Sequence, residues 1–189
     1  MLPARLVFLD LETTGINPLH DRIIEIGLCE VVNGEVLEEW TTLVNPGRSF
    51  SPFIEKLTGI TPAMVADAPT FAEIAEELHE KLVGKVLVAH NARFDYGFLK
   101  SEFHRLAITF QEQTLCTVKL SRALFPQHAK HSLDSLIERH GLNRANRHRA
   151  LGDVRVVREF LGRICAELPG EILGKAVQKQ LKSKDTRWP

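Results

Sequence analysis

The 189-residue chain is 44% hydrophobic, a composition suited to one compact α/β domain over residues 1–168, with 169–189 expected as a polar tail or weak terminal helix. Its 24 Lys plus Arg balance 24 Asp plus Glu, which weighs against tight nucleic-acid binding through bulk positive charge. Cys29, Cys116 and Cys165 lie too far apart for a zinc site or disulfide framework, no apolar run could cross a membrane, and no basic leader precedes the first strand. A cytoplasmic, reducing location with three buried thiols is therefore expected.

In chain order, Leu6 to Leu11 is a dense apolar run that reads as a central strand. Asp10 and Glu12 interrupt it at alternate positions, so a strand's two-residue period sends both carboxylates to one side. Two like charges so close need a cation between them, and carboxylate oxygens suit a hard divalent metal. A half-exposed edge strand with two solvated acids is the plainer alternative. Gly15 then allows a sharp turn. Residues 22–32 form a second strand, Asn33-Gly34 a two-residue hairpin, and 35–44 a third strand. This antiparallel start predicts a mixed central sheet flanked by helices rather than a purely parallel one.

Residues 45–69 are rich in proline and hold two short helical turns, the second capped by Thr61 with Pro62 at its first position. Thr70 caps a helix over 71–82, whose Phe71, Ile74, Ala75, Leu78 and Leu82 form one buried stripe. Val86 to Ala89 is a short central strand that feeds, through His90 to Phe94, a helix running to about Leu106; such strand ends are where open sheets place active sites. Further helices are expected over 117–124, 132–140 and 149–168. Ile172, Leu173, Val177 and Leu181 support only a weak last helix.

Four acids and one histidine stand out. Asp10 and Glu12 end the first strand, Asp95 opens the helix after the fourth, and Asp153 lies near the start of the long helix, with His148 five residues before it. Five residues at about 100° each would separate His148 from Asp153 on a helix, so the histidine is expected in the loop before it, with Asn146 as a local cap. Two Mg²⁺ or Mn²⁺ ions about 3.5–4 Å apart would neutralise the acids and clamp the attacking and leaving oxygens of a phosphodiester. His148 would be the general base that takes the proton from water.

The segments Phe8-Leu9-Asp10-Leu11-Glu12-Thr13-Thr14-Gly15, His90-Asn91-Ala92-Arg93-Phe94-Asp95 and His148-Arg149-Ala150-Leu151-Gly152-Asp153 resemble the three motifs of the DEDD exonuclease superfamily, histidine subtype. Within it the likeness is to the proofreading subunits of bacterial DNA polymerase III and their stand-alone homologues, over about residues 5–168. The resemblance implies an RNase H-like fold and two-metal 3′–5′ hydrolysis of single-stranded DNA ends to nucleoside 5′-monophosphates. It implies Asp10, Glu12, Asp95 and Asp153 as metal ligands, His148 as base, and Thr13 and Thr14 at the terminal nucleotide.

Several other residues carry paired readings. His90 and Asn91 are expected to touch substrate, although Asn91 also suits a helix cap. Phe94 could stack on a base or fill the core, and Ile60, with Phe53 and Leu57, could wedge between terminal bases. Arg144, Arg147, Arg149 and His131 flank the site as phosphate contacts or as surface charges. Preference for RNA ends or short oligonucleotides is the alternative within the same chemistry, and a module acting beside a DNA polymerase is the alternative of another class. A binding module holding only a structural cation would have no use for the histidine.

Overall fold

The computed structural model describes residues 2–182, so the last part of the expected tail, 183–189, lies outside the described residues. The N-terminal half contains β1 (Arg5–Thr13), β2 (Ile23–Val32), β3 (Glu35–Leu43), α1 (Pro52–Thr58), α2 (Pro62–Ala66), α3 (Phe71–Leu82) and β4 (Val86–Ala89). The remainder contains α4 (Arg93–Arg105), β5 (Gln113–Cys116), α5 (Thr117–Leu124), α6 (Leu133–His140), α7 (Ala150–Glu167) and α8 (Gly170–Lys182). The strands order as β3-β2-β1-β4-β5. The first three are antiparallel, while β4 lies parallel to β1 and β5 parallel to β4. This is the RNase H-like α/β arrangement, with β1 at the centre.

Local chemistry accounts for the element ends. Asn33 (φ 53°) and Gly34 (φ 92°) turn the β2–β3 hairpin through the positive-φ region its geometry requires. The Thr61 hydroxyl accepts from the Met64 N–H at 3.3 Å, and the N–H and hydroxyl of Thr70 both donate to Glu73 Oε2.

Alternation along β1 divides the core. Leu6 and Phe8 face α7, where they meet Val154, Val157, Phe160 and Leu161; Val7, Leu9 and Leu11 face α3 and α4, where they meet Leu78, Phe98 and Phe103. Asp10 and Glu12 continue the α7 side toward the strand's end. Fully burying a side chain of this size contributes roughly 1.5–3 kcal/mol, so the apolar stripe of α7 can hold the helix on the sheet while its first turn carries a charged residue.

The structure adds a strand, overturns the expected burial of one cysteine, and folds residues 170–182 as the terminal helix. Strand β5 had no counterpart in the sequence reading: Gln113–Cys116 is four residues long and partly polar, and its pairing with β4 rather than any internal period makes it a strand. Cys165 is exposed, unlike the buried Cys29 and Cys116. Helix α8 lies against the edge of β5, where the Cys116 N–H donates to Gln180 Oε1 at 2.9 Å and the Gln180 amide donates back to the Cys116 carbonyl at 3.3 Å. Leu173 and Val177 of α8 are buried in the α7-side core.

Candidate active site

Strand β4 ends at Ala89, and its pairing with β1 stops at Phe8, so β1 runs on beyond its neighbour. Asp95, in the first turn of α4, takes over there: its carboxylate accepts from the Leu11 N–H and from its own. On the opposite edge of β1, Asp10 pairs with Gly27 and Glu12 with Glu25, all on the side facing α7. A Cβ on Gly27 would come within 2.4 Å of the Leu151 nitrogen and 2.5 Å of the Ala150 carbonyl carbon. Glycine at that position therefore admits the N-terminus of α7 and brings Asp153 down onto Asp10 and Glu12.

Ligand atoms of Asp10, Glu12 and Asp153 lie within 4.8 Å of one another. Asp95 stands outside that set but close enough to Asp10 to be the strongest charge acting on it. Burial, then repulsion from Asp95, Asp153 and Glu12, holds Asp10 well above the ordinary carboxylate range. Glu12 is lifted to about 8 by burial and by Asp153 and Glu25. Burial takes Asp95 to about 7 against the two backbone hydrogen bonds, and Asp153 is also raised by burial.

The donor set fits a hard divalent cation. It is all carboxylate oxygen, its members repel one another, and Asp153 Oδ1 is buried with no hydrogen-bond partner. Opposing charge comes from Arg147, which bridges Asp153 Oδ2 and, at 3.1 Å, Asp134 Oδ1 of α6.

His148 lies in the loop before α7, half-buried, with φ 61°, and its backbone N–H is among the groups that oppose the rise in Asp153. Asn146 (φ 58°) is not the cap of α7. Its carbonyl oxygen abuts Gly152, where an added Cβ would approach to 2.0 Å, and the Ala150 N–H is instead accepted by Glu25 Oε2 at 2.9 Å.

The residues expected at substrate divide. Thr13 Oγ1 donates to the Gly15 carbonyl at 2.6 Å; Thr14 Oγ1 donates to Asp21 Oδ1 and accepts from the Arg22 N–H, so both hydroxyls shape the loop after β1. His90 bonds Thr117 Oγ1 through Nδ1 at 3.0 Å, and burial followed by the Arg147 charge pushes it down to about 4, leaving it neutral. Asn91 is exposed in the left-handed region at φ 67°, and Ala92 rather than Asn91 takes the N-cap of α4. Phe94 is half-buried beside Phe98, with ring centroids 4.9 Å apart. Ile60 does not reach the surface: it is fully buried with Ile24 and Val65, because the loop between α1 and α2 folds it onto the end of β2. Phe53 is the exposed aromatic of that segment.

Sequence pattern does not mark Glu25, Arg147 or Asp134 as site residues, and Arg147 reads there as a phosphate contact or a surface charge. A signal existed for Glu25: it is a carboxylate inside the apolar run Ile23-Ile24-Glu25-Ile26, as Asp10 is within β1.

The exonuclease family described as RNase_T matches residues 7–161. The chain is 38% identical over 167 residues to a PolC-type DNA polymerase III of Caldanaerobacter subterraneus subsp. tengcongensis, covering 88% of this chain and 12% of the polymerase. It is 40% identical over 158 residues to the 3′-5′ exonuclease DinG of Bacillus subtilis, covering 82% of this chain and 17% of that protein. The chain thus spans less than a fifth of either curated relative. Among solved structures, exonuclease X in complex with 5′-overhanging duplex DNA superposes with a TM-score of 0.71 at 29% identity, over 91% of this chain and 99% of that one. Among the described residues, no helix is long and apolar enough to cross a membrane.

Proposed function

The chain belongs to the exonuclease family, and on that premise we propose that it is a metal-dependent 3′–5′ exonuclease releasing nucleoside 5′-monophosphates from single-stranded DNA. The observation that carries the reading is the meeting of Asp10 and Glu12 from β1 with Asp153 from α7, ligand atoms within 4.8 Å, beside Asp95 and the His148 loop. Residues 1–168 are the proposed catalytic unit and the cytoplasm its proposed location.

Asp10, Glu12, Asp153 and Asp95 would hold divalent cations, two of them in this reading, either Mg²⁺ or Mn²⁺. Bound cations supply charge neutralisation and Lewis-acid polarisation of a phosphodiester. The chain's own groups do the rest. The carboxylates, fixed on a strand and two helix first turns, would hold those cations in place without needing to reorganise. His148, on its half-buried loop, takes the proton from the attacking water. The loop held by Thr13 and Thr14, with His90, Asn91 and Phe94 at the β4–α4 turn, forms the terminal-nucleotide site.

A second reading, in which the domain works beside a DNA polymerase, is favoured by the 38% identity to one segment of a PolC-type polymerase.

The test is digestion of matched 5′-labelled single-stranded DNA and RNA with Mg²⁺, with Mn²⁺ and with chelator, beside the Asp153→Ala protein. A one-nucleotide ladder shrinking from the 3′ end, abolished by chelator and by the substitution, is expected on DNA. A ladder on RNA alone would reassign the substrate, and cleavage by Asp153→Ala at the parent's rate would sink the site assignment.

A further inference from the structure

Glu25 is 3% exposed and stands beside the carboxylate cluster, as the cross-strand partner of Glu12. Its charge is felt by Glu12, but its oxygens are not offered to that cluster. Oε1 accepts from Arg149 Nη2 at 2.6 Å and Nε at 3.0 Å, while Oε2 accepts from Arg149 Nε at 3.1 Å and from the Ala150 N–H at 2.9 Å. Both oxygens are thus filled by the two residues that immediately follow His148. A bidentate carboxylate–guanidinium pair is rigid as well as strong, and the Ala150 bond satisfies one of the free N–H groups at the helix start.

The segment it grips is under constraint from both sides. His148 has φ 61°, a conformation that costs a side-chain-bearing residue energy unless its surroundings hold it there. Upstream, the Asn146 carbonyl is wedged against Gly152. Downstream, Gly27 lets Ala150 and Leu151 press onto β2, and Glu25 pins them at that point. The body of α7 has its own anchorage in Val154, Val157, Phe160, Leu161 and Ile164, all buried. Glu25 is therefore not needed to keep the helix on the sheet. It acts on the junction that aims the histidine.

We propose that Glu25 is a positioning residue for His148, a strut from β2 that fixes the loop-to-helix junction at Arg149–Ala150 and so holds the imidazole in its working orientation. This rests on the reading of His148 as the general base. It also separates Glu25 from the metal ligands, despite its place beside Glu12.

The test is a double-mutant cycle on Glu25→Gln and His148→Ala in the full chain, read as single-turnover rate and KM on a 5′-labelled oligonucleotide. Mn²⁺ binding and hydrogen exchange of the Ala150 amide in the metal-free protein are read alongside. Supporting contacts of this kind typically contribute about 10–100-fold to activity. Glu25→Gln is expected to lower the rate by about that factor with KM within about threefold, leave Mn²⁺ affinity within about threefold, and speed Ala150 exchange by about tenfold or more. In the His148→Ala background the same substitution should change the residual rate by less than about twofold, because a residue acting through histidine has nothing left to act on. Arg149→Met, which removes the ion pair and spares the Ala150 bond, should give a smaller loss in the same direction and serves if Glu25→Gln fails to fold. A full, additive loss in the His148→Ala background, or a parallel loss of Mn²⁺ binding, would overturn the proposal. So would a parent-like rate for Glu25→Gln while His148→Ala is impaired. A parent-like rate for His148→Ala itself would instead remove the general-base reading on which the strut depends.

Discussion

Arg147 donates through Nη1 to Asp153 Oδ2, placing a guanidinium against one of the three clustered carboxylates; its Nε donates to Asp134 Oδ1 at 3.1 Å, and only 12% of its side chain is exposed. The same positive charge holds Asp134 below the ordinary carboxylate range and opposes the rise in Asp10, Glu12 and Asp153. Arg147 thus partly neutralises the donor set from within the chain, and it competes with any metal for Asp153.

Replacing Arg147 should therefore separate two properties. Arg147→Gln is expected to lower the melting temperature of the metal-free protein, by about 2–4 °C for each kcal/mol lost in a chain of this size. The same variant should bind Mn²⁺ more tightly than the parent. Calorimetric titration and thermal melts with and without metal check both, and an unchanged or weaker Mn²⁺ affinity would rule out the competition.

Asp10→Asn should trade function for stability. Burial and three like charges all oppose ionisation of Asp10, so removing its charge relieves repulsion in the metal-free fold. A metal-free melting temperature a few degrees above the parent's is expected. Activity should fall on the order of 10³-fold, the several kcal/mol of transition-state stabilisation that a well-held metal supplies. Melting below the parent's temperature would show that the carboxylates are not in mutual strain.

The pH dependence of stability follows from Glu12, raised from 4.5 to about 8, and Asp95, raised from 3.8 to about 7. Raised carboxylates mean that the folded metal-free protein keeps protons the unfolded chain has already lost. Their contribution is complete below about pH 4 and is lost as the pH rises through about 7 to 8. Asp134 and Glu39, held low by Arg147 and Arg155, act only below about pH 4.5 and add no slope in that window. His90, pushed down to about 4, works the other way below about pH 6.5, so melting temperature without metal should fall most clearly between about pH 6.5 and pH 8.5; saturating Mg²⁺ should flatten the fall, and Mn²⁺ binding below about pH 8 should release protons. A metal-free melting temperature that climbs across that range would contradict the assignment.

Gly27→Ala tests the approach of α7. The added methyl would meet backbone atoms of Ala150 and Leu151 at 2.4–2.5 Å, which no side-chain rotation can relieve. Overpacking of this kind costs about 1–3 kcal/mol, and the helix start must move off β2, taking Asp153 and His148 with it. The expected result is a folded protein whose rate falls by more than its stability loss accounts for, measured as single-turnover cleavage at a temperature well below its melt.

Legibility differed from residue to residue. Asp10 and Glu12 could be placed on one face from a two-residue period alone, and the capped helix 71–82, the Asn33-Gly34 hairpin and the antiparallel start were equally local. Such features are written in neighbouring residues, and a short segment suffices to read them. Strand β5 and the burial of Ile60 were not legible, because a partly polar tetrapeptide becomes a strand only beside β4, and an isoleucine in a loop becomes core only when β2 lies beneath it.

What the sequence by itself determined was the inventory: a mixed α/β sheet, four acids in three separated segments, a histidine before the long helix, and the family they resemble. What only the tertiary structure decided was which charges meet. Glu25 and Arg149 are 124 positions apart, and Arg147 reads in the sequence as a surface charge or a phosphate contact, not as the partner of Asp153. Coulombic and hydrogen-bond energies depend on separations of a few ångströms, and those were set by Gly27 and Gly152 admitting backbone where a side chain would have kept it away.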